Sequence, residues 1–511
     1  MRNHVTGLLE PARLIAGLRR HDLRAAATFA HSMYPGCSPL VRWARFAGWA
    51  WRQTVCIIPS AMNSVTFGRP ISRQSTWLAG GNPWANRPWR DRPDARLPDE
   101  VEVAVVGAGF TGASCAYHWA KMGTGRMVVL DMGDPASGAS GCCEGLVVMG
   151  RYFGLVRDTV QRSLARVRPD LSPDGQARLA AQFAAAYVRG AYHNAELIAQ
   201  TIAAEGYDCE YARHGWIQVR EQEDQPALEE SVRSGRGAGF DDWTRIEPRQ
   251  AMEAAGMRLD WPAGFSQGAG HFHPAKWVWC LLATALRQPE INLFTRTRVL
   301  QIEDAGDGYR VHTHRGTVWA RAVINATESY TGILHPELAG VLYPVQTQAA
   351  YAKGGPEAMR PQVGYSSKRA FYGRLAGGVI FGSDSTRLPA HQAGRNRPAR
   401  FITKFVIGEL YRYFGRASLH VTHEWSATAG FTIDEFPVVG ALDHKRQYII
   451  GGMCGSGTGV SFNAARCIVR RILGDDGPDD YPAEYFAPSR LLDPQHHPWP
   501  AVNPAGPDPR R

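Results

Sequence analysis

The chain has no lysine before Lys121, although it contains 511 residues and carries a formal net charge of +10. Its nine cysteines, at positions 37, 56, 115, 142, 143, 209, 280, 454 and 467, include no C-x-x-C pair and no zinc-type spacing, and they are too sparse for a disulfide scaffold. A reducing cytoplasm is the expected compartment. There is no G-x-S-x-G elbow, P-loop, H-E-x-x-H or kinase set, so hydrolase and nucleotide-hydrolysing readings have no support. Long apolar runs are missing too: the uncharged stretch Val103 to Ala120 holds three glycines and a histidine, which reads as strand, turn and helix rather than a transmembrane segment. The opening residues lack the compact charged-then-apolar pattern of a secretory signal.

What is present has the balance of a globular protein, with 44% hydrophobic and 20% charged residues. Disorder, collagen and a coiled coil are excluded as whole-chain descriptions. The basic excess is local. Residues 1–100 hold 14 Arg, no Lys and 6 acids, a net +8, and six of the fifteen tryptophans, which leaves +2 for the remaining residues. A charge so distributed argues against a nucleic-acid partner for the body of the protein. The Arg-rich opening (Arg13, Arg19, Arg20, Arg24) fits a transit peptide, an amphipathic surface helix, or an extension over 1–61 that the fold does not need, with Met62 starting a lead-in over 62–100.

Residues 101–131, VEVAVVGAGFTGASCAYHWAKMGTGRMVVLD, carry the strongest pattern. A β-branched run ends in Gly107-x-Gly109-x-x-Gly112, a helix-compatible stretch follows to about Gly123, and a second apolar run, Met127 to Leu130, ends in Asp131. This is the βαβ dinucleotide fingerprint. Gly107 permits the tight turn, Gly109 lets backbone approach a pyrophosphate, and Gly112 lets the helix pack closely on the strands. Ala108, Phe110 and Thr111 complete a loop whose free N–H groups suit phosphate. Asp131 sits where an acid accepts hydrogen bonds from ribose hydroxyls. Only one such fingerprint occurs, whereas a pyridine-nucleotide flavoenzyme would usually show two, so FAD is favoured over NAD.

The order GAGFTG, strand-end acid, GASG, then a late GGMCGSGTGVSFNAARCIVRRIL resembles the FAD-dependent D-amino-acid oxidase superfamily, in particular its glycine oxidase, sarcosine oxidase and γ-glutamylputrescine oxidase branch. Further matches are GHFHPAKWV (270–278), AVINATESYT (322–331), FYGRLAGGVIFGSD (371–384) and WSATAGFTIDEFPVVGAL (425–442), so the likeness runs from about Trp77 to Leu473. It implies an α/β fold, α+β overall, in which a discontinuous Rossmann-like FAD-binding domain (101–155, 270–331 and 426–475) accompanies an antiparallel-sheet substrate domain (156–269 and 332–425). The tail, 476–511, reads as irregular surface chain. Phe183, Tyr187, Ala191, Ile198 and Ile202 recur at helical spacing and read as core.

The resemblance assigns cofactor contacts to the fingerprint residues, to Ser137, Gly138, Ala139 and Ser140, to Val299, Ala326 and Thr327, and to the late turn Gly452, Gly455, Ser456, Gly457, Thr458 and Gly459. In isolation a plain strand–turn–helix junction explains that last set equally well. Some sarcosine oxidases attach flavin through a cysteine near the position of Ala427, so a noncovalent FAD is implied. Arg374 resembles the arginine that pairs a substrate carboxylate, a task suited to a guanidinium fork. Tyr372 is the second substrate contact, and an exposed strand arginine is the plainer reading of Arg374. His271 and His273 lack a third ligand, so no metal site is expected; they read as a turn before the helix begun at Pro274. Cys142-Cys143 read as small packed residues.

These features imply an oxidoreductase that takes a hydride from the C–N carbon of an amino acid or related amine onto flavin, with the imine hydrolysed in water. Oxygen or an electron carrier is the acceptor. A hydroxy-acid dehydrogenase or tailoring oxidoreductase, and a flavin-carrying subunit of a larger complex, are the rivals, because the fold does not set the chemistry.

Overall fold

Valines at 101, 103, 105 and 106 make the strand Glu100–Val106, and the burial of five of its seven residues reflects its place inside a parallel sheet covered on both faces. The computed structural model describes residues 71–147, 153–220, 222–256, 259–354, 420–443, 445–475 and 477–502, with most of 23–52 and 362–398. The first sheet runs Val438–Ala441, Gln447–Gly451, Gly316–Asn325, Glu100–Val106, Met127–Leu130, Ile291–Phe294, with the hairpin Val299–Asp304 and Tyr309–Thr313 attached beside Gly316–Asn325. Val103 pairs in parallel with both Ala322 and Met127. The helices Phe110–Met122 and Gly457–Ile472 each follow a strand of this sheet.

The second sheet runs His420–Thr432, Leu342–Lys353, Gly378–Arg387, Ala370–Leu375, Gln362–Tyr365, Trp216–Val219, Ala263–Ser266, Trp243–Ile246. His420–Thr432 pairs along its whole length with Leu342–Lys353, so it belongs to this sheet on both sides of residue 426. Between the sheets' segments lie the helices Phe153–Val167 and Pro173–Glu205. Ser172 caps the second by accepting from the Gly175 N–H at 3.1 Å, and Gly206 ends it in left-handed backbone at φ 65°. Phe183, Tyr187, Ala191 and Ile198 of that helix are buried, as their spacing predicts.

Period-two alternation gives the second sheet two apolar faces. Ile217, Val219, Ala350, Ala352, Val379 and Phe381 share an outer cluster, whereas Trp216, Ala349, Tyr351 and Ile380 belong to the main core. The outer face is covered by the N-terminal segment, which contributes Ala26, Ala30 and Phe46. The lead-in is tied down as well: Ser72 bridges to the strand His420–Thr432, and the Trp77 indole N–H donates to the Cys143 carbonyl at 2.7 Å.

The tail corrects the expectation of irregular surface chain. It forms two short helices, Ala483–Phe486 and Ser489–Leu492, and buries Tyr481 and Phe486 completely. Phe486 packs 5.1 Å from Phe183, and the wholly buried Arg490 pairs with Asp434 at 2.8 Å. These partners are remote in sequence, so the tail has no local period to betray its burial.

Candidate active site

The strands of the first sheet end at a cavity of about 1070 Å³ that reaches to the inner face of the second sheet. This is where a doubly wound sheet binds ligands, at the carboxyl ends of strands around a switch in strand order. One wall is the glycine turn. Gly107 has φ +111°, and a Cβ there would lie 2.4 Å from the Ala326 carbonyl oxygen; one on Gly112 would lie 1.7 Å from the Gly107 oxygen. Gly107, Gly109, Phe110 and Thr111 line the cavity, while Ala108 and Gly112 lie behind it. The turn therefore brings bare backbone to the cavity wall, and its own packing leaves no room for a Cβ at Gly107 or Gly112.

Asp131 locks this cradle. Its two carboxylate oxygens accept the Ala108 and Gly133 N–H groups, each at 2.6 Å. Each oxygen keeps lone-pair capacity for a ligand hydroxyl. Burial raises the carboxyl above its ordinary value, against the pull of the two amides. Ser137, Gly138, Ala139 and Ser140 line the same wall, and Ser140 Oγ accepts the Phe110 N–H at 2.9 Å. Val299, Ala326 and Thr327 complete it.

The opposite end of the turn set comes from the C-terminal return. Gly455, Ser456, Gly457 and Thr458 line the cavity; Gly452 and Gly459 do not. A Cβ on Gly452 would meet Thr432 at 2.6 Å, so this glycine serves strand packing. The buried Asn194 side chain holds the start of the helix Gly457–Ile472: its Nδ2 donates to the Thr458 carbonyl at 2.8 Å and its Oδ1 accepts from Phe462 and Asn463 N–H at 3.1 and 3.0 Å. Both helix N-termini thus meet the cavity, where their positive dipole ends favour anionic groups. His118 joins the two helices through Nε2–H to the Phe462 carbonyl at 3.0 Å, and burial lowers it to about 3, so it stays neutral.

Sequence reasoning missed Glu328. It follows Ala326 and Thr327 in the AVINATESYT motif, lines the cavity, and holds left-handed backbone at φ 48°. Its Oε1 accepts the Gly430 N–H at 2.8 Å, and the Met453 N–H lies 3.3 Å from the same oxygen. One carboxyl therefore bridges the second sheet to the late glycine turn. Burial pushes it up to about 7. A strained backbone at a ligand cavity is a functional pointer, and no residue-type pattern announces it.

The far wall belongs to the second sheet. Trp216, Gln218 and Arg220 alternate into the cavity, joined by Leu155, Thr159 and Arg162 from one face of the helix Phe153–Val167. Arg220 is largely buried, with Asp224 4.0 Å away. Tyr372 and Arg374 lie on the strand Ala370–Leu375, but their side chains fall outside the described residues. In register they stand opposite Phe381 and Val379, two members of the outer cluster. Cys142 and Cys143 also line the cavity; burial pushes the Cys142 thiol up to about 12 and raises Cys143 as well, so both are thiols. His273 caps the helix Pro274–Ala285, its Nδ1 accepting the Lys276 N–H at 3.2 Å.

The model of the FAD dependent oxidoreductase (DAO) family matches residues 102–471. The chain belongs to this family. FAD is the family's cofactor, and the side-chain-free cradle, the strand-end acid and the two helix N-termini fit its dinucleotide. Among curated relatives, the gamma-glutamylputrescine oxidoreductase of Escherichia coli (strain K12) is 24% identical over 402 residues, covering 73% of this chain and 84% of the relative. Among solved structures, glycine oxidase from Geobacillus kaustophilus superposes with a TM-score of 0.61 at 18% identity, covering 76% of this chain and 98% of that one. L-proline dehydrogenase from P. horikoshii gives 0.60 at 17% identity, covering 77% and 98%. The DAO fold and an FAD-dependent oxidoreductase activity are thereby established for this protein.

Proposed function

We propose that this DAO-family protein oxidises the C–N bond of an amino acid or related amine to an imine, which water then hydrolyses. The observation that supports this reading most is the single cavity: a dinucleotide cradle at one end opens, without a break, onto a sheet wall carrying Trp216, Gln218 and Arg220. Noncovalently bound FAD supplies a two-electron acceptor for the bond being oxidised. The chain's own residues bind and orient. The residues of the fingerprint turn, Ser137–Ser140, Val299, Ala326, Thr327 and the late turn hold the cofactor, with Asp131 at its ribose. The first sheet, with residues 101–155, 270–331 and 433–475, acts as the cofactor domain, and the second, with the whole strand His420–Thr432, as the substrate domain. Positioning supplies most of the catalysis, and no strong acid or base is required.

An arginine pairs the substrate carboxylate in this reading. Arg374 is the candidate by resemblance, and Arg220 the one whose side chain lines the cavity. The eight described cysteines are all free, which supports a reducing, cytoplasmic setting. The test is anaerobic bleaching of bound flavin with a panel of amines, amino acids and 2-hydroxy acids. Bleaching by amino acids or amines is expected; rapid bleaching by 2-hydroxy acids alone would overturn the proposal. Arg220→Ala and Arg374→Ala then separate the two arginines, since only the one that pairs the carboxylate raises KM selectively for carboxylated substrates.

A further inference from the structure

The helix Pro39–Arg52, PLVRWARFAGWAWR, contains no acidic residue. Its inner side is accounted for: Phe46 is buried against the outer face of the second sheet, Trp49 stacks on Phe46 at 5.5 Å, and the Arg42 guanidinium donates to the Tyr34 and Cys37 carbonyls at 3.1 and 2.7 Å. The outer side is also apolar. Leu40, Ala44, Ala47, Gly48 and Trp51, spaced i, i+4, i+7, i+8 and i+11, are all exposed, and this is the spacing of one helical stripe. Leu40 is 83% exposed, Trp51 64%, and Trp43 and Val41 at the stripe's margins 44% and 43%. Arg45 flanks the stripe and is exposed as well. Large apolar side chains set outward in this density mark a contact surface rather than scattered surface residues.

We propose that this outward stripe docks the protein peripherally on an anionic lipid surface. Charge selects that occupant. The helix is purely cationic, and the first 100 residues carry +8 of the chain's +10, which suits the negative potential of anionic headgroups. The side chains select it too, because tryptophans place an apolar ring and a polar N–H at the level of the headgroups. A nucleic-acid partner would instead meet a cationic face, and here the outward face is apolar with Arg45 at its margin. No helix among the described residues is long and apolar enough to cross a membrane, so the helix lies on the surface and the catalytic domains stay outside the bilayer.

The test is co-sedimentation of the full-length, flavin-loaded protein with phosphatidylcholine vesicles, with and without phosphatidylglycerol. Binding to the phosphatidylglycerol vesicles is expected, weakening as salt is raised. The double variant L40E/W51E should lower the bound fraction at least about tenfold while retaining flavin content and turnover, since neither residue touches the cavity; R45E should reduce binding and its salt dependence together. Three outcomes would overturn the proposal: a wild-type protein that stays in the supernatant with both vesicles, an L40E/W51E variant that sediments like wild type, or a concentration-dependent dimer without vesicle binding that L40E/W51E abolishes, which would make the stripe a contact between copies.

Discussion

Gly112 faces Gly107 across the first turn of the fingerprint so closely that a Cβ on Gly112 would sit 1.7 Å from the Gly107 carbonyl oxygen. The obstructing atom is backbone, so no side-chain rotation relieves it. Gly112→Ala must therefore push the helix Phe110–Met122 off the strand Glu100–Val106. The expected product loses bound FAD and several degrees of thermal stability, read from the flavin absorbance of the purified protein and its melting curve. A variant with full flavin content would show that the turn is not the cofactor cradle.

Asp131→Asn separates two roles of one side chain. The amide would set an N–H donor against the Ala108 or Gly133 N–H now held at 2.6 Å. It also gives a ribose hydroxyl a neutral acceptor in place of a charged one, and losing one charge-assisted hydrogen bond to the ligand is worth about 1.5–3 kcal/mol, so FAD affinity should fall about tenfold or more. Fluorescence titration of apoprotein with FAD measures this directly.

Glu328 predicts a pH dependence with a definite sign. Its carboxyl is raised from 4.5 to about 7, so the folded protein holds this proton more tightly than the unfolded chain does. Its stabilising contribution is complete below about 4.5 and is lost as pH rises through about 7, a change on the order of 3 kcal/mol. Glu328→Gln should flatten the stability profile across that window, seen as a smaller difference between denaturation midpoints at about pH 5 and about pH 8. An unchanged slope would assign the titration to another group.

Arg490 and Asp434 form a bidentate pair, with Nε–Oδ2 at 2.8 Å and Nη2–Oδ1 at 3.1 Å, and Arg490 also donates to the Phe436 and Phe486 carbonyls at 2.9 Å each. Arg490→Met leaves the Asp434 carboxylate without its counter-ion in a buried setting, at a cost of about 3–5 kcal/mol. A matching drop in the urea midpoint, with early proteolysis of the chain after about residue 476, is expected.

Truncation at Met62 would uncover Ile217, Val219, Val379 and Phe381, which Ala26, Ala30 and Phe46 now help to cover. The shortened protein should aggregate or lose stability by size-exclusion chromatography and melting. A monodisperse, flavin-bound product of undiminished stability would show that the segment is an accessory of the fold.

The cofactor half of the site was legible because its chemistry is local: glycine spacing, strand, helix and terminal acid lie within 101–131, and Ser137–Ser140 follow directly. Backbone geometry dictates those residue types wherever the motif occurs. The assignments of Gly452 and Gly459 to the cofactor were less informative, since a turn glycine looks the same whether it faces a ligand or, as Gly452 does, the Thr432 side chain. Glu328 escaped notice because a polar residue in left-handed backbone carries no mark in its neighbours; its meaning lies in Gly430 and Met453, about a hundred residues away.

The sequence by itself determined the βαβ unit, the FAD chemistry and the concentration of positive charge ahead of the first strand, since each depends on residue types close together in the chain. Tertiary structure alone decided that the described part of that basic segment covers the second sheet, that the tail is core, and that Arg220 lines the cavity. Burial and alternation across a sheet are set by partners brought from distant parts of the chain, and a single strand's pattern does not say which of its two apolar faces meets the ligand.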